Sequence, residues 1–393
     1  MKFSSIPKEL LNRVYKWKNV IENIKDFSGK SPPSIFVSSV SYPITNVGIL
    51  APPDSNKDTS ILDFPEMWYK NNLNAFEIVE LRSRLIYSRS KANVRSSSKI
   101  IDIMQELAPS KKPVELDIEL KKTPRFKFAF DRFFRPIGNP APISNVAIKE
   151  NPKIERKVDH IISDTDLKAE EASLLLYRKG IPISRIQKIF SVGLLGYPTG
   201  RRLVPTRWSI TAVDSILSEN NIREIKNFET IDKPMLFRNS YLGNTFFILL
   251  IPDNWQYEVL ESFMKNNRII ETWHDYEFYL PRKTYAENVA GGYYAARLGV
   301  TEYLVKIKRQ ASVFILRTIR SESSMPLGVW KVRETVRDAF NKKPVVFESL
   351  NEAIAFISFK SRIDQKIIFS KSMILKNVKK QKKIMNFLKI IQP

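Results

Sequence analysis

The sequence predicts a mixed α/β protein of the α+β kind, with a central sheet surrounded by helices, and three observations predict it. Residues 245–251 and 312–319 are continuous apolar runs of strand length, suited to the buried middle of a sheet. Val114, Leu116, Ile118 and Leu120 alternate with Glu115, Asp117 and Glu119, as in a half-buried strand. Segments with helical periodicity lie before, between and after these runs, the alternation of a layered mixed architecture. A chain of 393 residues with 43% hydrophobic content can bury a sizeable core, as one large domain or two tightly packed lobes. The expected divisions are an N-terminal lobe over 1–145, a main lobe over 146–372 and a flexible C-terminal tail over 373–393.

The elements follow in order. Residues 7–24 read as a docking helix with Leu10, Val14, Trp17, Ile21 and Ile24 on one face. Residues 34–40 read as a buried strand, and 52–60 as a loop rich in Pro, Asp and Ser. Helical periodicity in Trp68, Ala75, Val79 and Ile86 predicts a helix over 65–88. Arg82, Arg84, Arg89, Lys91 and Arg95 gather at and beyond its end, as helix-end cations or as contacts to a phosphate backbone. A short helix over 99–107 stops before Pro109. Residues 125–135 interleave Phe126, Phe128 and Phe130 with cations; the aromatics can stack bases, or face a core as a strand would require, and residues 136–142 read as a turn.

A helix over 164–179 ends at Gly180, and a second over 182–190 follows. Their connection invites a helix-turn-helix reading with Arg185, Gln187 and Lys188 in a groove, against which Ile183, Ile186 and Ile189 ask for burial. Further helices are expected over 256–264, 286–308 and 351–360, the last with a capping box in Ser349 and Glu352.

The densest chemistry lies in residues 196–215. Arg201, Arg202 and Arg207 sit on a loop that Gly196, Pro198, Gly200 and Pro205 keep from being helical. Ser209 or Thr211 would cap the helix that follows, giving an anion site of guanidinium forks beside free helical N–H groups; the plain alternative is a surface loop whose arginines pair with acidic neighbours. The second concentration is residues 282–297. Arg282 and Lys283 stand at the entrance of a long helix, in which Gly291 and Gly292, next to Tyr293, ask for close approach of a ligand or of another backbone. The two clusters are expected to line one nucleotide- or phosphate-binding cleft, with Trp208 available for stacking.

Net charge is +23, which points to a polyanionic partner, nucleic acid first; a thermophile-like composition also produces such a balance. There is no cysteine, so disulfides, thiolate zinc sites and a cysteine nucleophile are excluded. His160 and His274 are the only imidazoles. Any divalent metal would lean on carboxylates, and His274 beside Asp275 and Glu277 reads more readily as a surface cluster than as a ligand set. No apolar run approaches the length of a bilayer span, so no membrane partner is expected and the protein reads as soluble, cytoplasmic and nucleoid-associated. No nucleophile elbow and no P-loop is present, and no reaction is identified.

Gly-Arg-Arg-Leu-Val-Pro-Thr-Arg-Trp-Ser-Ile-Thr-Ala-Val-Asp over 200–214 resembles the signature of the archaeal NreA-type DNA repair proteins. The resemblance continues in Ser-Pro-Pro-Ser-Ile-Phe-Val at 31–37, Val-Glu-Leu-Asp-Ile-Glu-Leu-Lys-Lys at 114–122, Ala-Gly-Gly-Tyr-Tyr-Ala-Ala-Arg-Leu at 290–298 and Pro-Leu-Gly-Val-Trp-Lys-Val-Arg-Glu at 326–334. It covers nearly the whole chain and implies a DNA-repair-associated protein. The cysteine-containing, zinc-finger-like start frequent in that family is absent, so zinc binding does not carry over. Two functions follow as expectations. One is a non-catalytic repair factor that binds DNA and the sliding clamp. The other is an enzyme acting on DNA or a nucleotide, with Arg201, Arg202 and Arg207 on phosphate and Asp214 as metal ligand or base.

The tail carries the sharpest motif. Gln381, Ile384, Phe387 and Leu388 fit the sliding-clamp-binding box Gln-x-x-aliphatic-x-x-aromatic-aromatic, with Leu in place of the second aromatic. One helical turn would place Ile384, Phe387 and Leu388 on one side as an apolar plug, with Gln381 as a hydrogen-bonding anchor. A short amphipathic helix docked on its own domain is the alternative, since Ile390 and Ile391 extend the apolar content. The resemblance favours the clamp, because such tails are a feature of that family.

Overall fold

The computed structural model describes residues 8–54, 58–126, 135–320 and 325–380. The fold is mixed α/β, as expected, with two six-stranded sheets where one central sheet was predicted. Two compact units form. The first holds the described residues up to Leu217 together with Met325–Lys331, and the second holds those from Ser218 onward apart from that segment.

The first unit comprises helices α1 (Lys8–Glu22), α2 (Pro65–Lys70), α3 (Ala75–Ser83), α4 (Lys99–Leu107), α5 (Arg156–Ser163), α6 (Ala169–Arg178), α7 (Ile183–Ser191) and most of α8 (Thr206–Ile225). Its strands are β1 (Asp26–Ser31), β2 (Ser34–Val37), β3 (Ile44–Ala51), β4 (Ile86–Asn93), β5 (Val114–Leu120) and β6 (Asn139–Ile148), in the order β1-β5-β6-β4-β3-β2. All neighbours pair antiparallel except β4 with β6. The alternation in β5 is realised: Val114, Leu116, Ile118 and Leu120 are buried in one apolar cluster with Ile21 of α1 and with Ile101, Met104 and Leu107 of α4.

The helix expected over 65–88 is broken. Asn74 caps α3 by accepting from Phe76 and Glu77 N–H groups, Glu77 returns a bond to the Asn74 N–H, and Ile86 opens β4. Residues 136–142, read as a turn, enter β6 at Asn139, where Pro140 and Pro142 lack a donor but still accept from Arg125 and Lys121 N–H groups. The helix expected from 164 starts at Ala169 and ends as predicted: Gly180 has φ +74°, and Ile181 N–H bonds back to Leu176 C=O. Of residues 125–135, those from 127 to 134 lie outside the described residues, as does the box at 381–388.

The helix-turn-helix reading is overturned. Arg185 pairs with Glu155, Gln187 Nε2 donates to Asp214 at 3.3 Å, and Lys188 Nζ donates to Pro33 C=O at 2.9 Å; all three side chains are buried, so none is free to enter a groove.

The second unit holds strands β7 (Met235–Tyr241), β8 (Asn244–Ile251), β9 (Gln256–Lys265), β10 (Arg268–Glu277), β11 (Ser312–Arg320) and β12 (Val345–Val346), in the order β10-β9-β11-β8-β7-β12. Its helices are α9 (Gly291–Ile307), α10 (Trp330–Ala339, from Val332 on), α11 (Leu350–Ser361), α12 (Gln365–Lys371) and α13 (Met373–Lys380). The two apolar runs became β8 and β11, antiparallel neighbours in the sheet. Residues 256–264, expected as a helix, are β9, paired with β10 on one side and parallel to β11 on the other. Almost every β9 residue is buried, so both faces are core and no alternation marks the strand. Its two carboxylates are used inside: Glu258 accepts from Met373 and Ile374 N–H groups at the start of α13, and Glu261 pairs with Arg317. Asn266 and Asn267, with φ of 49° and 60°, form the two-residue turn into β10. Ser349 caps α11 by accepting from Glu352 N–H at 3.3 Å, but Glu352 accepts from Glu348 N–H, so the box closes one residue early.

Candidate functional site

In the first unit the arginine loop is held by the chain on both sides. Leu203 N–H donates to Val94 C=O, Val204 N–H to Ser191 C=O, and Thr206 Oγ1 accepts from Val37 N–H at 3.0 Å. Gly193 lies against this segment; with φ +71° and the Arg202 carbonyl 2.4 Å from where a Cβ would stand, no other residue fits. Arg201 is consumed internally: Nε donates to Gly196 C=O at 2.8 Å, and Nη2 to Ile162 C=O at 2.9 Å. Arg202 is exposed.

The helix after the loop starts earlier than predicted. Thr206 opens α8 with Pro205 C=O accepting from Trp208 and Ser209 N–H groups, so Arg207 and Trp208 are helical. Ser209 is buried and its hydroxyl donates to Thr206 C=O; neither it nor Thr211, whose hydroxyl donates to Arg207 C=O, caps the helix. Trp208 is 46% exposed and meets the Tyr42 ring at 4.9 Å, leaving an aromatic pair open to solvent. Asp214 is fully buried. Among the described residues no three His, Asp or Glu side chains gather at metal-binding distance.

The same unit contains a charge cluster that no local motif announced. Asp63 is buried with Arg82 Nη1 at 2.9 Å, Arg135 Nε at 2.9 Å and Lys188 Nζ at 3.3 Å. Burial pushes the Asp63 carboxyl up, but Arg135, Lys188 and Arg82 outweigh it and bring its pKa to about 2. Burial lowers Lys188 and takes Arg82 down to about 10, against the pull of Asp63.

In the second unit, residues 282–297 form a packed cation–aromatic cluster. Arg282 lies 3.1 Å from Asp275, donates to Tyr276, Thr284 and Tyr285 carbonyls, and covers the Tyr293 ring at 5.2 Å. Lys283 is exposed. Tyr293 is wholly buried, its carbonyl accepting from Tyr257 Oη at 3.0 Å and its hydroxyl unpartnered among the described residues; burial raises both tyrosines well above the usual range. Arg297, also buried, bonds Glu277 at 2.9 Å. Gly291 and Gly292 stand at the start of α9 and not in its interior, so they do not carry the expected mid-helix cost. A Cβ on Gly292 would lie 3.4 Å from Glu261 Oε1 and 3.5 Å from Arg317 Nη1, ordinary contact with that buried ion pair.

Beside this cluster lies an opening of about 560 Å³ whose wall includes His274, Tyr276, Phe278, Tyr279, Leu280 and Arg282. It follows β10, the edge strand of the sheet, along which side chains two apart share a face. His274 and Tyr276 stack at 6.0 Å, Phe278 follows at 5.2 Å, and Lys226 Nζ covers Tyr279 at 4.5 Å. Phe278, Tyr279 and Leu280 are exposed. His274 thus belongs to an aromatic row, a role the two neighbouring carboxylates did not suggest. The two cation clusters expected to share a cleft lie in different units.

Fold and surface together define a two-unit α/β protein that is strongly basic and presents exposed aromatic rings beside cations. The chain belongs to the archaeal Nre family: residues 7–268 match the N-terminal Nre domain and 277–387 the C-terminal one. It is 37% identical to DNA repair protein NreB of Archaeoglobus fulgidus over 90% of both chains. It is 40% identical to DNA repair protein NreA of the same organism, over 84% of this chain and 83% of that one. A Haloferax volcanii DNA repair protein NreA is 31% identical over 86% of this chain and 84% of its own. No solved structure matches. No helix among the described residues is long and apolar enough to cross a membrane.

Proposed function

We propose that this chain is a DNA-repair protein that holds DNA through its phosphates and through exposed aromatic rings, and that its tail brings it to the sliding clamp. The observation that carries DNA binding is the aromatic row of His274 and Tyr276 on the edge strand and Phe278 just past its end, next to the exposed Tyr279, in a chain of net charge +23. Rings in such a row stack successive bases regardless of sequence, while exposed cations, Lys283 in this segment, follow the phosphates. The exposed Trp208–Tyr42 ring pair offers a further stacking surface in the first unit. The relatives' names as DNA repair proteins support the same reading.

The test is fluorescence anisotropy with a labelled single-stranded oligonucleotide across a salt series. Binding should weaken steeply with salt, through release of counterions from the phosphates. Tyr276→Ala/Phe278→Ala should weaken it about ten-fold or more. Binding indifferent to both salt and the double variant would remove the DNA reading.

Gln381, Ile384, Phe387 and Leu388 supply the clamp contact: three apolar side chains fill an apolar pocket and the Gln amide anchors one end. Full-length protein should bind the sliding clamp of the same organism, and a chain ending at Lys380 or carrying Phe387→Ala should not; equal affinity in all three would discard the tail as the ligand.

A further inference from the structure

The sheet of the second unit has one face that changes character along its strands. Under α11–α13 it is apolar, built from Leu236, Phe247, Leu249, Phe314 and Leu316. Toward the far ends of β7, β8 and β11 the same face carries Arg238, Thr245, Thr318 and Arg320. Register places them together: Arg238 is opposite Phe247, Thr245 opposite Thr318, and Arg320 opposite Met264 of β9. The C-terminal end of α11 adds Lys360 and Arg362, and the β9–β10 turn adds Asn266 and Asn267. The result is a cleft of about 260 Å³ with four cations and no acidic residue in its wall.

The cations have not been neutralised from within. Arg238, Arg320, Lys360 and Arg362 are exposed, and no carboxylate among the described residues pairs with any of them. Arg238 rests over the Phe247 ring at 5.5 Å and Lys360 over Phe356 at 5.5 Å, which positions the charges without compensating them. Lys360 and Arg362 at a helix C-terminus would alone be ordinary partners of the helix dipole. Arg238 and Arg320 come from strands and have no such reason to join them. Thr318 is only 6% exposed in this wall and its hydroxyl makes no hydrogen bond among the described residues. Like charges converging on a concave surface repel one another and raise the local concentration of anions.

We infer that this cleft is a phosphate-binding site, in which the Arg238, Arg320 and Arg362 guanidinium groups and the Lys360 ammonium surround phosphoryl oxygens and the Thr318 hydroxyl donates to one of them. Forked guanidinium donors match phosphate oxygens two at a time, and lysine adds a point charge. The phosphate can belong to a free nucleotide or to a DNA strand end, and the chemistry of recognition is shared. The inference goes beyond the aromatic edge strand and does not depend on it.

The test is isothermal titration calorimetry of the full-length protein with inorganic phosphate, ATP, and a short single-stranded oligonucleotide with and without a 5′-phosphate. Arg238→Gln/Arg362→Gln is compared with wild type, and Lys360→Gln/Arg320→Gln serves as an independent second variant; circular dichroism checks that each is folded. Saturable binding in at least one arm should weaken about ten-fold or more in both variants. The arm that weakens most names the source: ATP points to a nucleotide, and the phosphorylated oligonucleotide over its unphosphorylated twin points to a strand end. An affinity unchanged in every arm, or no saturable binding in any, overturns the inference. The failure of the Tyr276→Ala/Phe278→Ala experiment would leave the inorganic phosphate arm untouched, so the two readings fail separately.

Discussion

The first unit closes three cations around Asp63, whereas the second leaves four around an open cleft, and the two clusters use the same residue types to opposite ends. Arg82, Arg135 and Lys188 share one buried carboxylate and send remaining donors to backbone: Arg82 Nε to Pro136 C=O and Lys188 Nζ to Pro33 C=O. Arg238, Arg320, Lys360 and Arg362 have no such sink. A cation that reaches an internal acceptor holds the fold together; one that reaches none is available to a ligand. The charge of +23 in the sequence does not distinguish the two conditions.

The sharpest way to break the contrast is Asp63→Asn. It leaves the buried Arg82 and Lys188 and the half-buried Arg135 without a carboxylate and should destabilise the protein by about 3–5 kcal/mol in chemical denaturation. Arg238→Gln/Arg362→Gln should stay within about 0.5 kcal/mol of wild type in the same measurement. Equal losses would show that the open cleft is structural as well.

Acid should find the first cluster and pass over the second. The Asp63 pKa falls from the ordinary 3.8 to about 2 in the folded state. Its contribution of roughly 2 kcal/mol is therefore fully present above the unfolded value and is lost as pH falls toward and below the folded one. Stability measured from pH 5 downward should show a component lost over that window in wild type and missing in Asp63→Asn; identical profiles would contradict the assignment.

A smaller effect separates neighbours within the arginine loop. Arg201 donates to the carbonyls of Gly196 and Ile162, so Arg201→Ala should cost about 1–3 kcal/mol. Exposed Arg202 replaced by Ala should change stability by less than about 0.5 kcal/mol, and any loss should appear in DNA affinity instead. The reverse order would place Arg201, and not Arg202, at the ligand.

What the sequence determined alone lies where a pattern repeats within a few residues. The apolar stripe of α1, the alternation of β5, the runs of β8 and β11, the Ser349 cap and the Gly180 terminus were legible because side-chain periodicity and capping are local physics. The aromatic row beside β10 was not read in the sequence, where only His274 with Asp275 and Glu277 stood out; it appeared once His274 and Tyr276 lay on an edge strand with Phe278 just past its end. The tertiary structure decided the rest. β9 is a strand because β10 and β11 flank it, and burial on both faces erased its alternation. Arg185, Gln187 and Lys188 look like a reading face until packing buries them, and Lys188 meets Asp63 across 125 positions of chain. The phosphate cleft likewise assembles Arg238, Arg320, Lys360 and Arg362 from two strands and a helix end. An ion pair or a ligand contact is set by distance in space, and that distance exists only after strands have paired and helices have docked.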